Sequence, residues 1–229
     1  MKFARTAIVL AAALGAGSAM AQDIQFSGGL KAWNHKFKVD ARDLSGGGSE
    51  TSNFNATSTL LSLTARKGDY FVTYSTLLPT TYALDGGDIK RQDTDIAVGW
   101  SFMPGYSVLL GQKVIKSKGY NTDRESWNAD PSVSDKGMFL GLTGAQPLKD
   151  RLFLYESIAI VPKMKSSNQP SASTKFSTLE IGLGYALDTK TQLTLGYRQQ
   201  VYKQSDSARN GFNQKVNLDG IIFGASVNF

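Results

Sequence analysis

One histidine, His35, no cysteine, and acids and bases at alternating positions are what this 229-residue chain offers for chemistry. Without cysteine it has no thiol nucleophile, no thiolate metal site and no disulfide framework. A single histidine also argues against a transition-metal centre, which usually draws on several imidazoles or thiolates. Nucleophilic catalysis needs a base within hydrogen-bond reach of its nucleophile, and usually a third group to orient that base. His35 and Asp93 are the candidates for such a rim site. The commoner role for a lone histidine is an interfacial or loop-base residue, so no catalytic residue is assigned. Gly46-Gly47-Gly48-Ser49 has no strand–helix context and reads as flexible loop, not as a phosphate cradle. The remaining candidates are eight charges: Lys31, Arg66, Asp93, Asp95, Lys113, Glu156, Glu180 and Arg198. What they do depends on which face of which element they occupy.

Those elements are strands. Ten segments alternate in polarity with period two: 23–35, 57–67, 69–78, 91–102, 106–116, 137–145, 152–162, 175–187, 191–202 and 218–229. In the eighth, Leu179, Ile181, Leu183, Tyr185 and Leu187 oppose Thr178, Glu180, Gly182, Gly184 and Ala186. The seventh is apolar on both faces, and Glu156 is turned inward there because a carboxylate facing lipid is costly. The connections alternate strictly. Short ones fall at 67–69, 103–105, 146–151 and 188–190. Long polar ones cover 36–56, 79–90, 117–136, 163–174 and 203–217. A soluble sandwich has no reason to keep that alternation.

The two ends agree with this reading. Lys2 and Arg5, the apolar run Ala7–Leu14 and Ala19-Met20-Ala21 read as a cleaved secretory signal over 1–21, which leaves a single domain at 22–229. Loss of those two basic residues lowers the formal net charge from +6 to +4, too little to argue for nucleic acid. The last strand puts Ile221, Phe223, Ala225, Val227 and Phe229 on one face and stops on an aromatic residue. An apolar terminal strand is an exposed edge in a soluble protein, but in a closed barrel it pairs with the first strand. The aromatics also sit at strand ends. Phe26, Tyr70, Trp100, Tyr106 and Tyr185, with Phe102, Phe153 and Phe229, fall beside the short turns, and Tyr74, Trp33, Phe176 and Tyr202 are candidates for a girdle at the other end.

The ending, with Phe223, Val227 and Phe229 as its apolar positions, resembles the C-terminal signal of Gram-negative outer-membrane β-barrels. The resemblance implies an all-β fold: one antiparallel, up-and-down transmembrane barrel of about ten strands, with eight or twelve as alternatives. It also implies both termini in the periplasm, insertion by the barrel-assembly machinery with periplasmic chaperones, and contact with outer-membrane lipid and lipopolysaccharide. Ten strands is similar to the omptin surface proteases, but their signature segments are missing here and the loops are shorter.

On that fold the inward charges have two readings. Small barrels need mutually satisfied polar interiors, and buried charges must pair. The functional alternative is a charge-lined path for small solutes or ions. Eight strands leave an interior just filled by side chains, and 16 to 18 leave an open channel. Ten lie close to the filled end. Inward glycines at 99, 111, 141, 182, 184, 196 and 224 remove side-chain volume and favour a narrow path. The leading expectation is therefore a porin-like barrel with narrow passive passage and no cofactor or metal. A closed structural or adhesive barrel with binding loops is the alternative, and a surface hydrolase or acyltransferase the third. Tyr82, Tyr120, Trp127 and Phe212 are the aromatic loop candidates.

Overall fold

The computed structural model describes residues 24–43, 49–84, 87–121, 126–127, 133–167, 172–206 and 212–229. The signal-sequence reading of 1–21 and the Gly46–Gly48 loop fall outside them. Eleven strands run in chain order: β1 (Ile24–Asp43), β2 (Ser49–Lys67), β3 (Tyr70–Leu84), β4 (Gly87–Met103), β5 (Tyr106–Asn121), β6 (Ser126–Trp127), β7 (Val133–Lys149), β8 (Leu152–Ser166), β9 (Ser173–Ala186), β10 (Thr191–Asp206) and β11 (Phe212–Asn228). Each long strand pairs antiparallel with its sequence neighbour, β5 with β7 included, and β1 pairs with β11 from Ser27–Asn228 to Asp43–Phe212. That seam closes a ten-stranded barrel. The short β6 only adds a ladder of two pairs onto Tyr120 and Asn121.

The short connections are tight turns at one end, with left-handed backbone at Gly68, Gly105 and Asp150. At the other end the strands run well past the segments legible from hydrophobic alternation. Much of what reads as long polar loop is ladder: 36–43 pairs with 49–55 and with 212–219, and 80–84 with 87–91. Backbone pairing continues there while the outward face turns polar, as in Lys36, Lys38 and Asp40 opposite the inward Phe37 and Val39, so the apolar-out pattern ends before the strand does. Bulges interrupt β3 at Leu78-Pro79 and β8 at Pro162-Lys163.

The outer wall is apolar over a continuous belt. Leu30, Leu63, Val98, Leu110, Leu140, Leu195, Ile221 and Phe223 are each 42–65% exposed on it. So much contiguous exposed apolar surface suits a hydrocarbon surround, not water. No described helix is long and apolar enough to cross a membrane. Phe26, Tyr70, Trp100, Tyr106 and Tyr185 all lie on this wall at the turn end, with Tyr70 the most exposed at 68%. Phe102 packs between Trp100 and Tyr106, at centroid distances of 6.2 and 6.5 Å. Phe223, Val227 and Phe229 face outward too, and the Phe229 N–H donates to the Phe26 carbonyl at 2.8 Å across the seam. Four of the proposed girdle residues are not on it. Phe153 faces inward over Gly184, and Trp33, Phe176 and Tyr202 are buried in the lumen. The aromatic preference for strands is the same on either face, so ring count alone did not separate girdle from core.

Candidate functional site

Seven of the eight candidate charges point into the lumen, and six of them fall into two ion-pair groups. In the first, Glu180 on β9 accepts hydrogen bonds from Lys31 on β1, across the lumen, and from Arg198 on β10, directly opposite in register, at 2.7 Å. Arg198 also stacks 5.4 Å above the Trp33 ring, and Lys31 lies 4.9 Å over Tyr155. In the second, Lys113 on β5 donates to both oxygens of Asp95, at 2.8 and 2.9 Å, and stands 3.9 Å from Asp93. The Asp93 carboxylate is held bidentately by Arg91, at 2.8 and 2.9 Å, and Arg91 reaches Gln200 at 3.4 Å. Bidentate guanidinium–carboxylate geometry is the strong form of this bond. Arg66 stands apart near the turn end, donating to Ser101 Oγ at 2.8 Å and lying 4.5 Å over the Phe71 ring.

Glu156 is the exception. It alternates with Leu154 and Ile158 on the outward face, while Tyr155 and Ser157 face in. Its register partner is Gly144, and the bare glycine lets the carboxylate and its stem fold against the wall beside the Tyr106 ring. The placement is at the turn end of the belt, where the cost of an outward charge falls towards zero. Burial cost alone therefore did not force it inward.

Arg91, Tyr82, Asp135 and Tyr202, which alternation did not place in the lumen, complete it with Trp33 and Gln200, which share the alternating faces of Lys31 and Arg198. Tyr82 reads as a loop residue because Pro79 and the Gly86-Gly87 pair bracket its short segment. In the structure it is only 1% exposed, with its ring 4.3 Å from Phe37. His35 is equally hidden, at 2% exposure. It stacks on Trp33 at 4.1 Å, its Nδ1 donates to the Trp33 carbonyl at 3.1 Å, and its Nε2 is 3.1 Å from Tyr82 Oη. The neutral ring with its proton on Nδ1 satisfies both contacts. Asp93 is committed to Arg91, so the two residues proposed for a rim active site are both buried and occupied. Among the described residues no group of three histidines, cysteines, aspartates or glutamates could hold a metal ion.

Between the charges lies apolar packing. Phe37, Tyr82, Phe139, Met164, Phe176 and Leu218 belong to one contact cluster, each no more than 8% exposed, and most of it falls in the strand halves nearer the long connections. In the other half most inward glycines do not hold space open, Gly141 on the wall of the remaining chamber excepted. Phe71 lies flat over Gly99, Phe153 over Gly184, and Tyr155 across Gly182 and Gly196, each leaving no room for a Cβ. What remains there is a chamber of about 140 Å³, walled by Asp95, Lys113, Glu180 and Arg198 and by the apolar Leu109, Phe139, Val161 and Phe176. At ~30 Å³ per molecule it has room for about four waters.

Against known proteins, no family profile matches the chain and no curated protein does. Solved structures do match. The outer-membrane protease OmpT from Escherichia coli aligns over 92% of this chain and 98% of its own, with a TM-score of 0.56 at 13% identity. This chain has the outer-membrane β-barrel fold. The P. putida toluene transporter TodX aligns over 93% of this chain and 92% of its own at 9% identity (TM-score 0.40), and Neisserial surface protein A over 89% and 97% at 13% identity (TM-score 0.37).

Proposed function

We propose that this protein is an integral bacterial outer-membrane barrel, closed at its centre, that acts through its outward-facing rim and wall. In this reading the turn end and both termini face the periplasm and the long connections face outside. Short periplasmic turns and long external loops are the general pattern of such barrels. The carrying observation is the filled lumen. Trp33, Val161, Leu218 and Ile222 are wholly buried, and the charged groups beside them are spent on one another. The porin-like passage expected from the sequence would require this packing to part. Close-packed protein interiors do not part without breaking many contacts at once. Fixed, mutually satisfied charges are also what a structural interior needs.

Single-channel recording from the refolded protein in planar lipid bilayers tests this. Verified, inserted protein should give no discrete current steps, and the Phe176→Ala/Tyr202→Ala variant, which thins the apolar plug, should give more current than the parent. Reproducible steps from the parent would replace this reading with the porin-like one.

A further inference from the structure

Above the apolar belt, on the outer wall, three lysines stand directly opposite one another across three adjacent strands. Lys203 on β10 is in register with Lys175 on β9 and with Lys215 on β11. The β8 bulge that faces Lys175 adds Lys163. All four are exposed and none forms an ion pair with a described residue. The acid at the end of the row, Asp40, is in register with Lys215 but is engaged by Lys38 at 3.1 Å and by the Thr51 hydroxyl at 2.8 Å. Directly opposed like charges destabilise a sheet. Two such pairs in one row are therefore a cost that the bare fold does not recover.

The surroundings point to what offsets it. Lys175, Lys203 and Lys215 line two clefts that meet on the wall. The upper one, about 600 Å³, is otherwise polar and includes Arg42, Ser173 and Asn213, with the Asp40 carboxylate as its one acid. The lower one, about 490 Å³, runs down between Ile160, Pro162 and Val201. Below it the outward residues become Ile158 on β8, Leu179 on β9 and Leu195 on β10. Lys175 stands four residues above Leu179, on the order of 13 Å along the strand. That is headgroup height for a lipid whose chains lie against the belt. A ligand that satisfies both clefts carries negative charge at one end and hydrocarbon at the other.

We infer that the Lys175–Lys203–Lys215 row, with Lys163 beside it, is a binding site for the phosphate groups of an anionic glycolipid of the outer leaflet. The assignment rests on the proposed orientation, with the long connections outside, and is independent of whether the lumen conducts. It supplies the missing negative charge, and the Ile160–Val201 groove receives the upper part of an acyl chain.

The test is the melting temperature of the full chain refolded in phosphatidylcholine vesicles, with and without added bis-phosphorylated lipid A, together with the lipid's apparent affinity. Lipid A should raise the melting temperature. The Lys175→Gln/Lys203→Gln/Lys215→Gln variant should lose that rise and bind on the order of a hundredfold more weakly, and Lys203→Gln alone about fivefold, from the typical worth of one basic residue near an anionic lipid surface. In phosphatidylcholine alone the triple variant should melt no lower than the parent, because its like-charge opposition is gone. If the triple variant fails to fold, the single variant carries the test. Lys116→Gln/Lys118→Gln/Lys136→Gln removes as much charge from β5 and β7, where Lys118 and Lys136 each oppose one lysine, Lys90 and Lys165, without forming a row of three, and should keep most of the effect. An equal loss in that control, or an unchanged rise in the row variant, overturns the site. Dephosphorylated lipid A acting as well as lipid A would show an apolar groove only, and inorganic phosphate reproducing the rise would show a free-anion site, and either also overturns it. Neither vesicles nor melting depend on sidedness or conductance. A wrong orientation, read by protease access to the long connections in cells, or a conducting pore therefore leaves its own separate mark.

Discussion

The same ten strands carry two walls that obey different rules. Outside, each residue answers to the solvent it meets, and any apolar side chain of fitting size will serve. Inside, each residue answers to a particular partner on another strand: Glu180 to Lys31 and Arg198, Asp93 to Arg91, Gly99 to Phe71. The outer wall is thus a pattern and the inner wall a set of pairings. Substitution should be tolerated by class on one and by identity on the other.

Six variants would break or sharpen that contrast. Glu180→Gln leaves the part-buried Lys31 and Arg198 against a neutral amide, and should destabilise the barrel by ~2–4 kcal/mol in urea unfolding from vesicles, less than a fully buried pair would cost. A double replacement of Glu180 and Arg198 by apolar residues of similar volume should recover much of that loss. On the other wall, Leu195→Arg places a cation on the lipid face within the belt and should cost ~2–4 kcal/mol in the same assay, whereas Leu195→Ile should be nearly silent. Gly99→Val is a smaller inner-wall change. It drives a branched side chain into the Phe71 ring and should cost ~1–3 kcal/mol, and pairing it with Phe71→Ala should relieve the clash.

The smallest effect belongs to neither wall. In the turn between β9 and β10, Asp188 accepts the backbone N–H groups of Lys190 and Thr191, both at 2.7 Å. These bonds hold its carboxyl below the ordinary carboxylate range. The folded group thus binds its proton less readily than the unfolded one. Its contribution is complete above the unfolded value, near 3.9, and fades as the pH falls through the folded value. Asp188→Ala should lower stability slightly at neutral pH and converge with the parent in strong acid, read from unfolding midpoints across the acid range.

This contrast also explains what the sequence made legible. The outer wall follows period two, so strand number, the turn positions and the outward faces could all be read from alternation. The inner wall could be read only where a charge stood in a clean alternating segment, as Glu180 and Arg198 do. Arg91 and Tyr82 are not legible because they lie where the strands leave the belt and the outward face is no longer apolar. Trp33, Phe176 and Tyr202 were assigned to a girdle because ring type does not report direction. The glycines were taken to vacate volume. Whether such volume stays empty depends on a ring from the adjacent strand, and that neighbour is set by register, which no single segment displays. The lysine row escaped notice for the same reason, since its members are far apart in sequence and become a row only through pairing.

The seam between β1 and β11 has a kinetic consequence. Every other hairpin in the barrel can zip from a nearby turn, but Ser27 meets Asn228 across nearly the whole chain. Such contacts carry the largest loop-closure entropy and form slowly. Closure is therefore one late event, and until it happens two long strand edges stand open to pairing with other chains. The bond from the Phe229 N–H to the Phe26 carbonyl is where that event begins or ends. Weakening it would change little in the finished barrel but would lengthen the interval in which an unfinished one can aggregate.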